Sequence, residues 1–343
     1  MWSINAIQQE YMISMTNPYL KQFPEIMRDK RIMYVHGFAS SALSGTVKRL
    51  RDTFPNADVV AFDLPVDPHE ALALLHQKCD ELHPDLILGT SMGGMFAEQL
   101  HGYDRILVNP AFQIADTMRE HNMMGKQTFL NPRADGVQEF YVDKPLVKAY
   151  REVSEQCFSS PEPSVWGLFG DQDPLVHTYD LFCEHYSRAI RFLGEHRMDD
   201  HSFMHAVVPV IRWVDDLQEH RQRTIVFISL SAMSDAYGKP LSSVQKTVSR
   251  LIETYNVYFL APCPSTDHDY PSRILSWLEE YINVPAYDHV VFTNQPNLLY
   301  GDYFINASKE ESEEYMGAVI DFGSDEFKTW EDILLYFERL GGQ

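Results

Sequence analysis

From Arg31 onward the chain alternates short β-branched and aromatic runs with segments of helical length, and few folds accommodate that rhythm. The runs RIMYVHGF, DVVAFD, DLILGTS, RILVNPA, SVWGLFG and AIRFLGEH read as strands. The stretches between them (Ala42–Phe54, His69–Leu82, Gly93–His101 and Leu175–Ser187) read as helices. Such alternation predicts a parallel sheet with helices on both faces, and ligands then sit at the carboxyl ends of the strands. One gap breaks the rhythm: between Phe112 and Pro163 no strand is evident, although Met118, Met123, Met124, Phe129, Phe140 and Tyr141 lie there. A long insertion over a strand end is either a lid or binding loop, or a helical excursion that only covers the sheet edge.

A second alternating region begins near Thr224, after the polar stretch Asp215–Arg223. TIVFISLS, NVYFLAP, DHVVFTN and GAVIDFG read as strands, and Pro240–Thr254, Ser272–Ile282 and Thr329–Leu340 as helices. The expectation is two α/β domains in tandem, over residues 31–220 and 224–343. Met1–Lys30, with an amphipathic stretch and with Pro18 and Pro24, would be an extension packed on the first domain.

Composition narrows the classes of function. With 28 Lys and Arg against 49 Asp and Glu, the net charge of the 343 residues is −21. Such a polyanion repels phosphate backbones and anionic lipid, so neither nucleic acid nor membrane is an expected partner. No run of 18 apolar residues would span a bilayer, and the opening residues lack a secretory pattern. The cysteines (Cys79, Cys157, Cys183, Cys263) are scattered without a C-x-x-C pair, which suits reduced thiols and a cytoplasmic location.

Gly89-Thr90-Ser91-Met92-Gly93-Gly94 lies between a strand and a helix. A G-x-S-x-G turn there forces the serine into a tight conformation, leaves the hydroxyl exposed at the strand end, and sets it at a helix N-terminus. A serine hydroxyl is a weak nucleophile: it needs a base, and the base an orienting acid, expected after later strands in the order Ser, Asp, His. Asp171-Gln172-Asp173-Pro174 follows SVWGLFG, and Met198-Asp199-Asp200-His201-Ser202-Phe203 follows AIRFLGEH. This reading assigns His201 as base and Asp173 as acid, with Asp171 as the alternative acid. His201 and His205 are also spaced i, i+4 beside Asp199 and Asp200. A metal site would need further ligands, so neither metal nor cofactor is expected. His36, before Gly37 and Phe38 at the first strand end, reads as structural. Its loop and the Met92 N–H could supply an oxyanion hole.

The segments H-G-F-A-S-S-A-L-S-G-T (His36–Thr46), G-T-S-M-G-G (Gly89–Gly94), I-L-V-N-P-A (Ile106–Ala111), G-D-Q-D-P-L-V (Gly170–Val176) and D-D-H-S-F (Asp199–Phe203) resemble the YqiA-type esterases over about Arg31–Leu217. These are small bacterial α/β-hydrolases with almost no cap. The resemblance implies Ser91, Asp173 and His201 as a triad and the Phe38 and Met92 N–H groups as oxyanion donors. The chain departs from the family in its longer insertion before Pro163 and its amino-terminal extension.

The segments NVYFLAPCPS, SRILSWLEEYINVPAYDHVVFTN, LLYGDYFIN and AVIDFGSDEFKTWEDILLYF resemble the 5'(3')-deoxyribonucleotidase branch of the haloacid-dehalogenase (HAD) superfamily over about Thr224–Leu340. The fold implied is thus an α/β-hydrolase followed by a smaller HAD-like, Rossmannoid α/β domain. Phosphatases of that branch need a D-x-D at the first strand end, and here those positions are Ser229 and Ser231. Ala261 replaces the serine or threonine after the second strand, with Ser265 and Thr266 nearby. Pro296 replaces the phosphate-facing lysine, and Asn306-Ala307 the later acidic pair, leaving Asp302 and Asp235. Serine cannot replace a carboxylate as a hard magnesium ligand or as a phosphoenzyme former, so no phosphatase activity is expected. The expected function is hydrolysis of a small-molecule carboxylic ester or thioester, with the second domain free to contact a protein partner. The rival from another class is a non-catalytic binding or scaffold protein built from two degenerate enzyme domains.

Overall fold

The computed structural model describes residues 20–235, 238–282, 285–286, 288–308, 312 and 315–341. The predicted amphipathic stretch before Pro18 lies outside them. The first half carries β1 (Arg31–Val35), β2 (Asp58–Ala61), β3 (Leu86–Thr90), β4 (Arg105–Val108), a hairpin β5 (Gly125–Thr128) and β6 (Glu139–Val142), then β7 (Val165–Gly170) and β8 (Ala189–Phe192). Six of these form one parallel sheet in the order β2-β1-β3-β4-β7-β8. The insertion therefore has strands after all, β5 and β6 pairing antiparallel. Each is only four residues long, and β5 (Gly125-Lys126-Gln127-Thr128) is polar, so Phe140-Tyr141-Val142 of β6 has no apolar partner run to mark a hairpin in the sequence.

The central strands read as continuous apolar runs because both faces are covered: every residue of β4 is buried, and four of the five in β3. The chain leaves β1 toward β2 on one side and returns to β3 on the other. The loops after β1 and β3 consequently diverge and open a crevice at the strand ends, where this class of sheet binds its ligands. This α/β-hydrolase sheet is flanked by α1 (Gly45–Thr53), α2 (Pro68–Leu82), α3 (Met92–Glu98), α4 (Ile114–Glu120), α5 (Lys144–Ser154), α6 (Tyr179–Cys183) and α7 (Val208–Gln218). Asp67 starts α2 by accepting from the His69 and Glu70 N–H groups, with Pro68 in the first turn. The helix expected over Leu175–Ser187 shrinks to α6, because Asp173 folds the residues after it into a capped turn.

The second half forms another parallel sheet from β9 (Ile225–Ser229), β10 (Asn256–Ala261), β11 (Val290–Phe292), β12 (Tyr303–Asn306) and β13 (Ala318–Asp321), ordered β11-β10-β9-β12-β13. Its helices are α8 (Val244–Leu251), α9 (Tyr270–Trp277) and α10 (Trp330–Arg339), the last begun by a Thr329–Asp332 capping box. α7 lies between the sheets, and its first nine residues are all buried. Its buried carboxylates are paired, Asp215 with Lys30 and Arg221 and Asp216 with Arg223, and its other faces meet apolar partners. Ile211 and Val214 belong to the same core cluster as Val226 and Val257 of the second sheet, and Trp213 stacks on His289 at 4.1 Å. No helix among the described residues is long and apolar enough to cross a membrane.

The seam also contains charge. Buried Glu253 accepts from Lys21 at 2.9 Å and from Arg250 at 3.1 Å, and His205 Nδ1 stands 3.5 Å from its other oxygen. Burial, then His201, Arg250 and Lys21, pushes the His205 pKa from 6.5 down to about 4. Two cations already face the one carboxylate, so a third positive charge is disfavoured. A depressed histidine pKa means the unfolded chain binds the proton first. The stability contributed by neutral His205 is therefore complete above pH 6.5 and is lost as the pH falls toward 4. Between pH 7 and pH 5, His205→Gln should lose about 2 kcal/mol less stability than the natural chain in urea denaturation. Equal losses in the two proteins would remove His205 from the acid response.

Candidate active site

β3 runs directly into the glycine-rich turn, and Ser91 sits at φ 54°, ψ −122° before α3 begins. That backbone conformation is costly for a residue with a side chain and persists only where its surroundings fix it. Here they do. The Ser91 N–H donates to the Val108 carbonyl, and the Ser91 carbonyl accepts from the Gly94, Met95 and Ala111 N–H groups. Glycine is required at Gly93, since a Cβ there would lie 2.0 Å from the Val35 carbonyl oxygen. α3 is pressed against β1 without a side chain between them, and the serine is raised at the sheet edge.

Ser91 Oγ lies 3.0 Å from His196 Nε2, and His196 Nδ1 lies 2.8 Å from Asp173 Oδ2. Asp173 is buried, and its second oxygen accepts from the Leu175 and Val176 N–H groups at 2.8 and 3.1 Å. A carboxylate can only accept, so Nδ1 carries the imidazole proton and Nε2 is left to accept from the serine hydroxyl. A bound, oriented imidazole in this tautomer is what a serine needs to lose its proton.

The histidine is therefore not the one expected. His201 lies in the short helical turn Asp200–Ser202, exposed, with its ring 4.4 Å from that of His205. Asp199 caps that turn by accepting from the Ser202 N–H at 2.7 Å, which carries His201 onto a helix. The sequence reading extended the strand to His196, whereas β8 ends at Phe192. Residues 193–199 form a loop instead. Gln172 N–H donates to the Gly194 carbonyl, and the Asn109 side-chain amide donates to the Glu195 carbonyl at 3.1 Å and to that of His196 at 3.3 Å. These bonds hold the His196 backbone beneath the elbow. Asp171, the alternative acid, accepts from the Gly194 N–H at 3.1 Å and braces the same loop. The available signal was the Asp199-x-x-Ser202 cap, which marks a helix start and so leaves His196 as the histidine nearer the strand end.

His36 is buried, with Nε2 accepting from the Leu64 N–H at 3.2 Å and Nδ1 donating to the Gly37 carbonyl at 2.9 Å. Burial lowers its pKa, which keeps the ring neutral and the tautomer fixed. A trans peptide points its N–H opposite to its carbonyl, so holding the Gly37 carbonyl on His36 turns the Phe38 N–H the other way. A Cβ on Gly37 would come within 3.3 Å of Ser91 Cβ, which shows how closely this loop lies on the elbow. The Met92 N–H, in the first turn of α3, has no partner within its helix.

An open cavity of about 620 Å³ covers Ser91 and His196. The insertion forms one wall of it through Met123, Gln127, Thr128, Leu130 and Asn131. Leu130 N–H donates to the Ala39 carbonyl at 2.7 Å, Ser41 Oγ donates to the Pro132 carbonyl, and the Phe38 and Phe140 rings meet edge to face at 5.3 Å. The insertion does more than cover the sheet edge, since it lines the cavity over Ser91.

In the second sheet, Ser229, Ala261 and Pro296 line one cavity of about 300 Å³ with Thr293 and Asn294. Ser231 Oγ donates to Ser229 Oγ at 2.9 Å and accepts from the Ala307 N–H at 3.3 Å. Asp302 lies at the opposite edge of the sheet, accepting from the Ile225 N–H at 2.7 Å, and Asp235 accepts from the Lys239 N–H. Neither remaining aspartate replaces the missing pair. Among the described residues no group of three His, Cys, Asp or Glu could hold a metal ion.

A model of the uncharacterised protein family UPF0227 matches residues 31–214. An inferred 5'(3')-deoxyribonucleotidase of Vibrio phage KVP40 is 28% identical over 102 residues, 29% of this chain. The chain spans about 60% of the length of that curated relative. Similar solved structures include a monoacylglycerol lipase of Paleococcus ferrophilus, at 16% identity and TM-score 0.40, covering 57% of this chain and 96% of that one. An esterase domain from Rhodothermus marinus, at 16% identity and TM-score 0.39, covers 58% and 90%.

Proposed function

The chain belongs to the UPF0227 family, the YqiA-type esterases, and on that premise we propose that it is a serine hydrolase cleaving a carboxylic ester or thioester through an acyl-enzyme. The observation that carries this reading is the unbroken hydrogen-bonded series Ser91–His196–Asp173 at the floor of an open cavity. Ser91 Oγ attacks the carbonyl carbon while its proton passes to His196 Nε2. Asp173 stabilises the imidazolium, and the N–H groups of Phe38 and Met92 receive the oxyanion. The proton then passes to the leaving oxygen or sulfur, whose bond to the acyl carbon breaks. Water, deprotonated by His196, cleaves the acyl-enzyme and returns the proton to Ser91. Neither metal nor cofactor takes part in this scheme.

The second domain, over 224–343, would not hydrolyse phosphate esters. Its strand-end cavity presents hydroxyl and amide groups where phosphoryl transfer needs carboxylates and a magnesium ion. The first experiment is labelling with a fluorophosphonate, comparing the natural chain with Ser91→Ala. Labelling of the natural chain alone is expected. Labelling that persists at another serine, or none in the folded natural chain, refutes the proposal.

A further inference from the structure

The lining of the cavity over Ser91 departs from the acidic composition of the chain. Acidic residues outnumber basic ones 49 to 28 along the chain. Yet among the described residues the cavity is lined by no aspartate or glutamate, and apart from His196 its ionisable cations are Arg49 and Arg197. They come from different elements, Arg49 from α1 and Arg197 from the loop that delivers His196. Arg49 donates through Nε to Asp200 at 2.6 Å, and the two terminal nitrogens of its guanidinium have no hydrogen-bond partner among the described residues. Arg197 is exposed and has neither ion pair nor hydrogen bond there. A guanidinium presents a planar fork of donors matched to carboxylate and phosphate oxygens. Asp200 offsets the Arg49 charge, so Arg197 supplies the net positive charge that would draw an anion into the cleft, and Arg49 supplies donors. In a protein this acidic, an anion would otherwise be repelled on approach.

We infer that the substrate carries an anionic group, a carboxylate or a phosphate, which Arg197 and Arg49 hold while Ser91 attacks the ester or thioester carbonyl. The inference rests on the serine-hydrolase reading above and specifies its substrate class. The two arginines bind and orient, and the reacting atoms remain with Ser91 and His196.

The test uses two matched pairs of substrates on the full chain. p-Nitrophenyl butyrate is compared with the mono-p-nitrophenyl ester of glutaric acid, and S-butyryl-pantetheine with its 4'-phosphate. At low ionic strength the anionic member of at least one pair should have the higher kcat/KM, by roughly tenfold. Preference in the first pair alone identifies a carboxylate, and in the second alone a phosphate. Added sodium chloride should shrink the preference. Arg197→Gln and Arg49→Gln should each reduce the ratio through KM, and Arg197→Lys should restore part of it. A loss of fold would not restore with lysine, and the salt series on the natural chain needs no variant. Ser91-dependent turnover with no preference in either pair overturns the inference and leaves the hydrolase reading standing. Absence of both turnover and fluorophosphonate labelling overturns the hydrolase reading, and the inference with it.

Discussion

His196→Ala should lower kcat/KM on a simple ester by roughly 10⁴–10⁶-fold, whereas His201→Ala should leave it near the natural value. The asymmetry follows from position. His196 is the group within hydrogen-bonding distance of both Ser91 and Asp173, and His201 is exposed on the turn capped by Asp199. Ser91→Ala combined with His196→Ala should cost little more than either alone, because nucleophile and base act as one unit. Circular dichroism and thermal unfolding of each variant establish that the fold survives. If His201→Ala were the damaging change and His196→Ala were silent, the assignment of the base would be wrong.

Gly93→Ala should be among the most damaging small substitutions in the chain, although alanine ordinarily favours a helix over glycine by up to about 1 kcal/mol. The new methyl group would lie 2.0 Å from the Val35 carbonyl oxygen, 2.6 Å from its carbon and 2.7 Å from the His36 carbonyl oxygen. All three are backbone atoms of β1 or of the loop after it, so no side chain can swing aside. The helix must retreat from the sheet, at a cost of about 3 kcal/mol or more. It would carry Ser91 away from His196 as it moves, so activity should fall with stability. Gly45→Ala is the control: its methyl group would meet only the Arg49 guanidinium at 3.8 Å, and stability should change by less than about 0.5 kcal/mol. Denaturant midpoints for the two variants decide the matter. A Gly93→Ala chain as stable as the Gly45→Ala chain would show that α3 does not rest on β1 as described.

Local chemistry made much of this protein legible from its sequence. The parallel strands are apolar runs because both their faces are buried, and the elbow announces itself as a glycine-flanked serine between a strand and a helix. Both Asp171 and Asp173 are visible as candidate acids after one strand, and it is Asp173 that reaches the imidazole. The lost carboxylates of the second domain were likewise visible as Ser229 and Ser231, since a missing functional group needs no coordinates to be noticed.

The tertiary structure decided what depended on contacts far apart in the chain. The choice of His196 over His201 turns on where β8 stops and on bonds from Asn109, Asp171 and Gln172 that steer the following loop. A shift of a few residues in a strand end exchanges one histidine for another, and local pattern does not fix strand ends that closely. The β5–β6 hairpin was invisible because each strand is only four residues long, β5 is polar, and the apolar face of β6, Phe140 and Val142, is too short to leave a period in the sequence. The grouping of Arg49 with Arg197 above Ser91 joins residues about 150 positions apart, which is a property of the folded chain alone.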